Sequence, residues 1–286
     1  MSAVTKLVAK DANHATSDAR FVYSQCNSCD IVSIDRIPDK LDLCYPSEYL
    51  SLLSAQRLEE IARRDVARLD VLLRFKREGR LLEVGPGAGV MLRQAISAGF
   101  DVEAIEVDSD SSRHLSAILG VPVHVSAAPE EVIGKLPSSD VVVLWQVLEH
   151  LPRPWAVLRA AASNLAQDGV LIVATPNPSA FQFRVLRSRW PHLDAPRHLQ
   201  LIPPQLLIDR LHSDDMAVVS LTSDDPSARA WNRFGWRRAL ANAHPGIAGQ
   251  VLAYTLGSLL AAAASPLESS DFNGSTYTAV FKKGRA

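Results

Sequence analysis

A glycine-rich stretch, Leu81-Leu82-Glu83-Val84-Gly85-Pro86-Gly87-Ala88-Gly89, stands between a short apolar run and a segment of helical spacing that starts near Val90. Glycines suit such a place because the backbone must turn tightly and admit a ligand where a Cβ would stand, and N–H groups at a helix start attract a carboxylate or phosphate. A plain strand-to-helix turn uses the same residues. About twenty residues on, Glu106 closes the next apolar run, where a carboxylate can accept both hydroxyl hydrogens of a ribose; a solvated loop acid is the alternative. Gly85, Gly87 and Gly89 are spaced G-x-G-x-G, and Val90 stands where the dinucleotide fingerprint has its third glycine, which disfavours a nicotinamide cofactor. Eight histidines offer groups that titrate near neutrality, and Cys26-x-x-Cys29 has the spacing of half a zinc knuckle.

These residues need a frame. Between Ser47 and Lys76 the apolar positions Leu50, Leu53, Leu58, Ile61, Val66, Leu69, Leu72 and Leu73 keep helical spacing, so one or two helices lead into the main domain. After Gly79 short apolar runs alternate with helix-like segments: 81–85, 102–107, 121–125, 140–145 and 169–175, with further strands expected at 216–222 and 276–281. Buried strands alternating with helices imply a parallel sheet covered on both faces. The stretch FVYSQCNSCDIVSID reads as two short strands around the Cys-x-x-Cys turn, and residues 1–20 read as polar. The expected organisation is a ribbon-like module at 1–45, a helical lead-in at 46–78, a core at 79–225 and 274–286, and a helical cap inserted at 226–273.

Taken in order, LLEVGPGAG, the acid in AIEVD, DVVVLWQVLEHLPRPWAVL and LAQDGVLIVATPNP resemble the class I S-adenosylmethionine-dependent methyltransferases, and within them the branch of the ubiquinone-biosynthesis O-methyltransferases. The resemblance runs over roughly residues 20 to 225 and includes Tyr45-Pro46-Ser47-Glu48-Tyr49 behind the cysteine ribbon. It implies an α/β fold, a Rossmann-like doubly wound seven-stranded sheet in the order 3-2-1-4-5-7-6, and S-adenosylmethionine as cofactor with S-adenosylhomocysteine as product. Carried over by position, Glu83 and the Gly85, Gly87 and Gly89 loop would hold the methionine half, Glu106 the ribose, and Val107 and the Ser126 to Ala128 stretch, with Ala127, the adenine. Gln146 would stand beside the cofactor after the fourth core strand.

The resemblance implies small-molecule methyl transfer, more readily to a hydroxyl than to carbon or nitrogen. An oxygen nucleophile must lose its proton, and a positioned histidine suits that. His150 follows the fourth strand and His198 lies in Pro196-Arg197-His198-Leu199; each is a candidate base or substrate contact, with a helix-capping or turn role as the alternative. Relatives with a divalent cation read Glu-x-x-Glu-His where this chain reads Gln146-Val147-Leu148-Glu149-His150, so no catalytic metal is expected. Asp11-Ala12-Asn13-His14 stands where relatives carry a first cysteine pair, so Asp11, His14, Cys26 and Cys29 form a conceivable structural zinc site against the alternative of two free thiols. The competing functions are a non-catalytic cofactor-binding partner protein and a nucleotide-dependent oxidoreductase.

Thirty basic against 31 acidic residues give a net charge of −1, so nucleic acid is not an expected partner. Three cysteines and a polar N-terminus point to a reducing, cytoplasmic location. Gly246 to Ser265 carries no charge but is rich in Ala, Gly, Ser and Thr, which argues against a membrane span. Leu252, Leu256, Leu259 and Leu260 share one helical face there and Ala253, Gly257, Ala261 and Ala264 the opposite one, as in a cap helix, a homodimer surface or a lipid contact. Trp231, Phe234 and Trp236 just before it are candidates for lining an apolar substrate pocket.

Overall fold

The computed structural model describes residues 4–46, 52–244, 246–270 and 272–284. The Ser47 to Tyr49 part of the Tyr-Pro motif and Leu50 of the lead-in pattern lie outside the described residues. A seven-stranded sheet is built from β4 (Arg80–Val84), β5 (Asp101–Glu106), β6 (Val123–Val125), β7 (Ser139–Trp145), β8 (Leu165–Pro176), β10 (Met216–Thr222) and β11 (Thr276–Lys283). Its order is β10-β11-β8-β7-β4-β5-β6, with β11 antiparallel to both neighbours and the strands from β8 to β6 parallel. This is the 3-2-1-4-5-7-6 order read from its other edge.

The central strands are continuous apolar runs because both faces are covered: Val141, Val142, Val143 and Leu144 are each fully buried. One face packs on α5 (Pro129–Ile133), α6 (Pro154–Asn164) and α8 (Pro204–His212) through Leu158, Ala161, Leu207 and Leu211. The other packs on α2 (Ala67–Phe75), α3 (Val90–Ser97) and α4 (Ser109–Leu119) through Leu72, Met91, Leu92 and Leu115. Helix α1 (Ala55–Arg64) is capped by Ser54, whose side chain accepts from the Arg57 N–H, and lies on α3.

Residues 4–45 are joined to the core through a shared sheet. β1 (Val4–Lys10), β2 (Arg20–Cys26) and β3 (Val32–Ile34) form antiparallel pairs, and the fourth strand is β9 (Gln200–Leu201), from the segment that follows β8. β1 replaces the polar stretch expected there. Leu7, Tyr23 and Val32 pack under this sheet with Phe183 of α7 (Phe181–Leu186), Trp190 and Leu193. The insertion at 226–273 is a hairpin of two helices, α9 (Pro226–Ala243) and α10 (Ile247–Glu268), with Asp225 capping α9 through the Ala228 N–H.

Candidate functional site

The C-terminal ends of β4, β5 and β7 bring the sequence candidates together. Gly85, Gly87 and Gly89 all take positive φ, 67°, 54° and 81°. A Cβ at Gly85 would lie 2.3 Å from the Val147 side chain, whereas one at Gly87 would meet nothing within 4 Å. Gly85 is thus required by close packing and Gly87 by its backbone conformation on the open side of the loop. The Gly85 N–H donates to the Ile105 carbonyl at 2.9 Å, which ties the loop to the end of β5.

Glu83 is 1% exposed and its Oε2 has no hydrogen-bond partner. Burial pushes its pKa up to about 8, with Arg68 pulling it down and the charge of Glu106 adding to the rise. Arg68, on α2, was not singled out in the sequence, where it reads as one more charged residue of an amphipathic helix. Its guanidinium lies 5.4 Å from the centre of the Trp145 ring, and both Arg68 Nε and Trp145 Nε1 are buried without a hydrogen bond. Arg68 Nε has only the Asp65 carboxylate near it, 3.8 Å away, and leaving Glu83 Oε2 and Trp145 Nε1 without hydrogen bonds at the ends of β4 and β7 costs about 1–3 kcal/mol each unless a ligand satisfies them.

Glu106 is buried at the end of β5, and its Oε1 accepts from the N–H groups of Val107 at 2.7 Å and Asp108 at 3.3 Å. Burial raises its pKa, while those N–H groups and that of Gly87 oppose the rise. Beside it the Val107 side chain is 62% exposed, and the Ser126 N–H donates to the Glu106 carbonyl, which sets exposed Ala127 at the same rim. Gln146 adopts φ 55° directly after β7, with its N–H bound to the Ala174 carbonyl at 2.7 Å. A non-glycine residue held in this region is strained by about 1–3 kcal/mol, and such strain collects at functional sites.

One turn beyond Gln146, His150 and His198 meet edge to face with ring centres 4.6 Å apart. His150 Nδ1 lies 3.1 Å from the Arg197 carbonyl and 3.2 Å from the Tyr45 hydroxyl. A carbonyl oxygen only accepts, so Nδ1 carries the proton and Nε2 is the basic nitrogen. His198 is set in the same tautomer by the His192 carbonyl, 2.8 Å from its Nδ1. Burial lowers the pKa of both, that of His198 to about 3 with the His150 charge adding to the fall. Glu149 is fully enclosed and pushed up to about 8 by burial; its Oε2 accepts from Thr175, and its Oε1, 3.9 Å from His198 Nε2, has no hydrogen bond.

Glu149, His150 and His198 are the one group among the described residues whose donor atoms, all within 4.8 Å of one another, could hold a metal ion. The set Asp11, His14, Cys26 and Cys29 does not converge. The β1–β2 register pairs Lys10 with Arg20 at one end and Val4 with Cys26 at the other, which separates Asp11 from Cys26 by about 20 Å at 3.3 Å per residue. Asp11 is instead buried against Arg197, accepting from both its terminal nitrogens at 2.7 and 3.2 Å, while Asp194 accepts from Arg197 Nε at 2.9 Å. Burial pushes Asp11 up, but the hydrogen bonds from Arg197 and Thr16 hold it below the usual carboxylate range. Arg197 thereby ties the N-terminal sheet to the segment whose carbonyl orients His150, and the Tyr23 hydroxyl adds a bond to the His198 carbonyl at 2.9 Å.

The strand order, the glycine loop and the acid at the end of β5 define a class I methyltransferase fold of the S-adenosylmethionine-dependent type. The family described as "Methyltransferase domain" matches residues 53–221, and the chain belongs to it. The chain is 30% identical over 118 residues to the ubiquinone biosynthesis O-methyltransferase of Bordetella avium, covering 39% of this chain and 49% of that one. It spans about half the length of such relatives. Among solved structures, a SAM-dependent methyltransferase from Archaeoglobus fulgidus matches 79% of this chain and 94% of its own at 17% identity, with a TM-score of 0.53. Mycolic acid cyclopropane synthase CmaA1, solved with SAH and CTAB, matches 77% and 84% at 19% identity, with a TM-score of 0.51.

Proposed function

We propose that the chain transfers a methyl group from S-adenosylmethionine to a hydroxyl of a small-molecule acceptor in the cytoplasm. The observation that carries this reading is the joining of two sets of residues at neighbouring strand ends. Glu83 and Trp145, buried with atoms that lack hydrogen bonds, together with Arg68 and Glu106 suit the cofactor, and the His150–His198 pair stands one turn beyond them.

Glu83 and Arg68 offer opposite charges to the ammonium and carboxylate of the methionine half, and Glu106 accepts from the ribose hydroxyls. The bound cofactor supplies an electrophilic methyl on a sulfonium whose departure as a neutral thioether needs no proton. His150 takes the acceptor's proton at Nε2 as the new carbon–oxygen bond forms, and its tautomer is held for that by the Arg197 carbonyl. His198, with its pKa near 3, serves to pack and orient His150 and not as the base.

Because Glu83 titrates near 8 when no ligand faces it, it is protonated at pH 7. An ammonium beside it favours the carboxylate, so binding S-adenosylhomocysteine at pH 7 releases a proton, and affinity rises with pH up to about 8. Calorimetry near pH 7 in two buffers of different ionisation heat should show this, and Glu83→Gln should abolish the difference. Equal heats for the unsubstituted protein would remove Glu83 from the ammonium site.

The reading is tested by a transfer assay on hydroxyl acceptors, with S-adenosylhomocysteine binding measured alongside. With Gln146 in place of a carboxylate, turnover is expected to persist in EDTA. Loss in EDTA with recovery on adding a divalent ion would assign Glu149, His150 and His198 to a cation instead. Binding without turnover on any acceptor class would favour a partner protein that keeps only the cofactor cleft.

A further inference from the structure

Helix α10 presents the reverse of what a cap helix should. Its small residues Ala253, Gly257 and Ala264 form the buried side on α9, and a Cβ at Gly257 would stand 2.6 Å from the Arg237 Cα, so the two backbones touch. The bulky face is turned outward, with Leu252 at 60%, Leu256 at 45%, Leu259 at 63% and Leu260 at 43% exposure. Such a contiguous apolar face marks an interaction surface. Gly249–Glu268 is long and apolar enough to cross a membrane, and 22% of its apolar 18-residue window is buried. Its end is nonetheless fixed to the body, since Glu268 is buried and accepts from Gln182 and Trp236 at 2.8 and 2.9 Å. A helix anchored along one side and at its end lies on a surface and does not thread through it.

Charge decides what covers that face. Residues 226–267 contain Arg229, Arg233, Arg237 and Arg238 and no Asp, Glu or Lys. Asp224 pairs with Arg229, whose side chain stays 60% exposed, Arg233 is exposed, Arg237 donates to Ser258 on α10 itself, and Arg238 donates to the Asn13 carbonyl. Helix α7, packed on α9, adds exposed Arg184. A second copy of the hairpin would set this arginine-bearing element, whose one carboxylate, Glu268, is buried, against itself, whereas lipid phosphates would neutralise it. Leucines on one side with arginines on the partner helix match the composition of helices that lie in a membrane interface.

We infer that the α9–α10 hairpin docks the protein on an anionic lipid bilayer, with the leucine face of α10 in the acyl boundary and the exposed Arg229 and Arg233 of α9 at the headgroups. The inference is independent of the methyl-transfer reading.

The test is sedimentation of the full chain with phosphatidylcholine vesicles and with vesicles in which part of the lipid is phosphatidylglycerol. Pelleting is expected with the anionic vesicles and not with the neutral ones, and it should weaken with salt. Leu256→Asp with Leu259→Asp, and separately Arg229→Glu with Arg233→Glu, should each lower the bound fraction by about tenfold or more. Thermal unfolding of each variant checks that the chain is still folded; the arginine pair keeps the test open if the aspartate pair is not. Absence of pelleting on either vesicle, equal pelleting on both, or a solution dimer dispersed by the leucine substitutions that does not pellet would each overturn the inference.

Discussion

His150→Ala is expected to lower kcat on a hydroxyl acceptor by about 10² to 10⁴ while leaving the affinity for S-adenosylhomocysteine nearly unchanged. The argument rests on where the side chain's hydrogen bonds go. Nδ1 is committed to the Arg197 carbonyl, so the imidazole is held neutral with Nε2 as its proton acceptor, and burial keeps its pKa below the ordinary value. The cofactor groups, on β4, β5, α2 and the end of β7, make no use of this ring. The proton leaves the acceptor only as the reaction proceeds, so the loss belongs in turnover and not in cofactor binding. Steady-state kinetics with saturating cofactor, beside calorimetry, reads the two separately. A variant with near-normal kcat would shift the account to transfer onto carbon or nitrogen, or to deprotonation by solvent.

Glu106→Ala should weaken S-adenosylhomocysteine by about 1.5 to 3 kcal/mol, the range for hydrogen bonds to a charged group, or roughly ten- to a hundredfold in Kd. The carboxylate is already oriented before any ligand arrives, by the Val107 and Asp108 N–H groups, so little ordering is needed on binding. Glu106→Gln should recover only part of the loss, because an amide presents one accepting atom where the carboxylate has two. An unchanged Kd in the alanine variant would place the ribose elsewhere.

The parts of this fold that could be read from the sequence are those with local causes. Val141 to Trp145 is an unbroken apolar run because a central parallel strand is covered on both faces, and Gly85 and Gly89 mark a turn that other residues cannot make. β1 escaped because it buries only Leu7 and Ala9 and leaves Val4 and Val8 in the open, so it carries little apolar contrast. β9 is two residues long and takes its meaning from Val32 and Ser33, far away in the chain. The Asp11–Arg197 pair spans 186 positions, and no spacing rule connects such residues, which is why an Asp-x-x-His pattern suggested a metal where a buried ion pair stands. The two faces of α10 were visible as a pattern, but which of them packs depends on Gly257 meeting the backbone of Arg237. Arg68 had a faint signal, a basic residue one turn before Leu72 on the helix that feeds β4, but Arg74 shares that helix and only the Trp145 ring near Arg68 sets it apart.

The pairing of β3 with β9 also fixes an order of events on the ribosome. β1, β2 and β3 are complete once Ile34 has been made, but their fourth strand ends at Leu201, after most of the nucleotide-fold core has been synthesised. At translation rates of about 5–20 residues per second, the first hairpin waits roughly ten to thirty seconds for its edge partner, and Asp11 waits as long for Arg197. The beginning of the chain is therefore among the last parts to settle, and the histidine pair can be set only when it does. Trimming the N-terminus towards a minimal catalytic unit would remove the support beneath His150 and His198, although the cofactor-binding strands would remain intact.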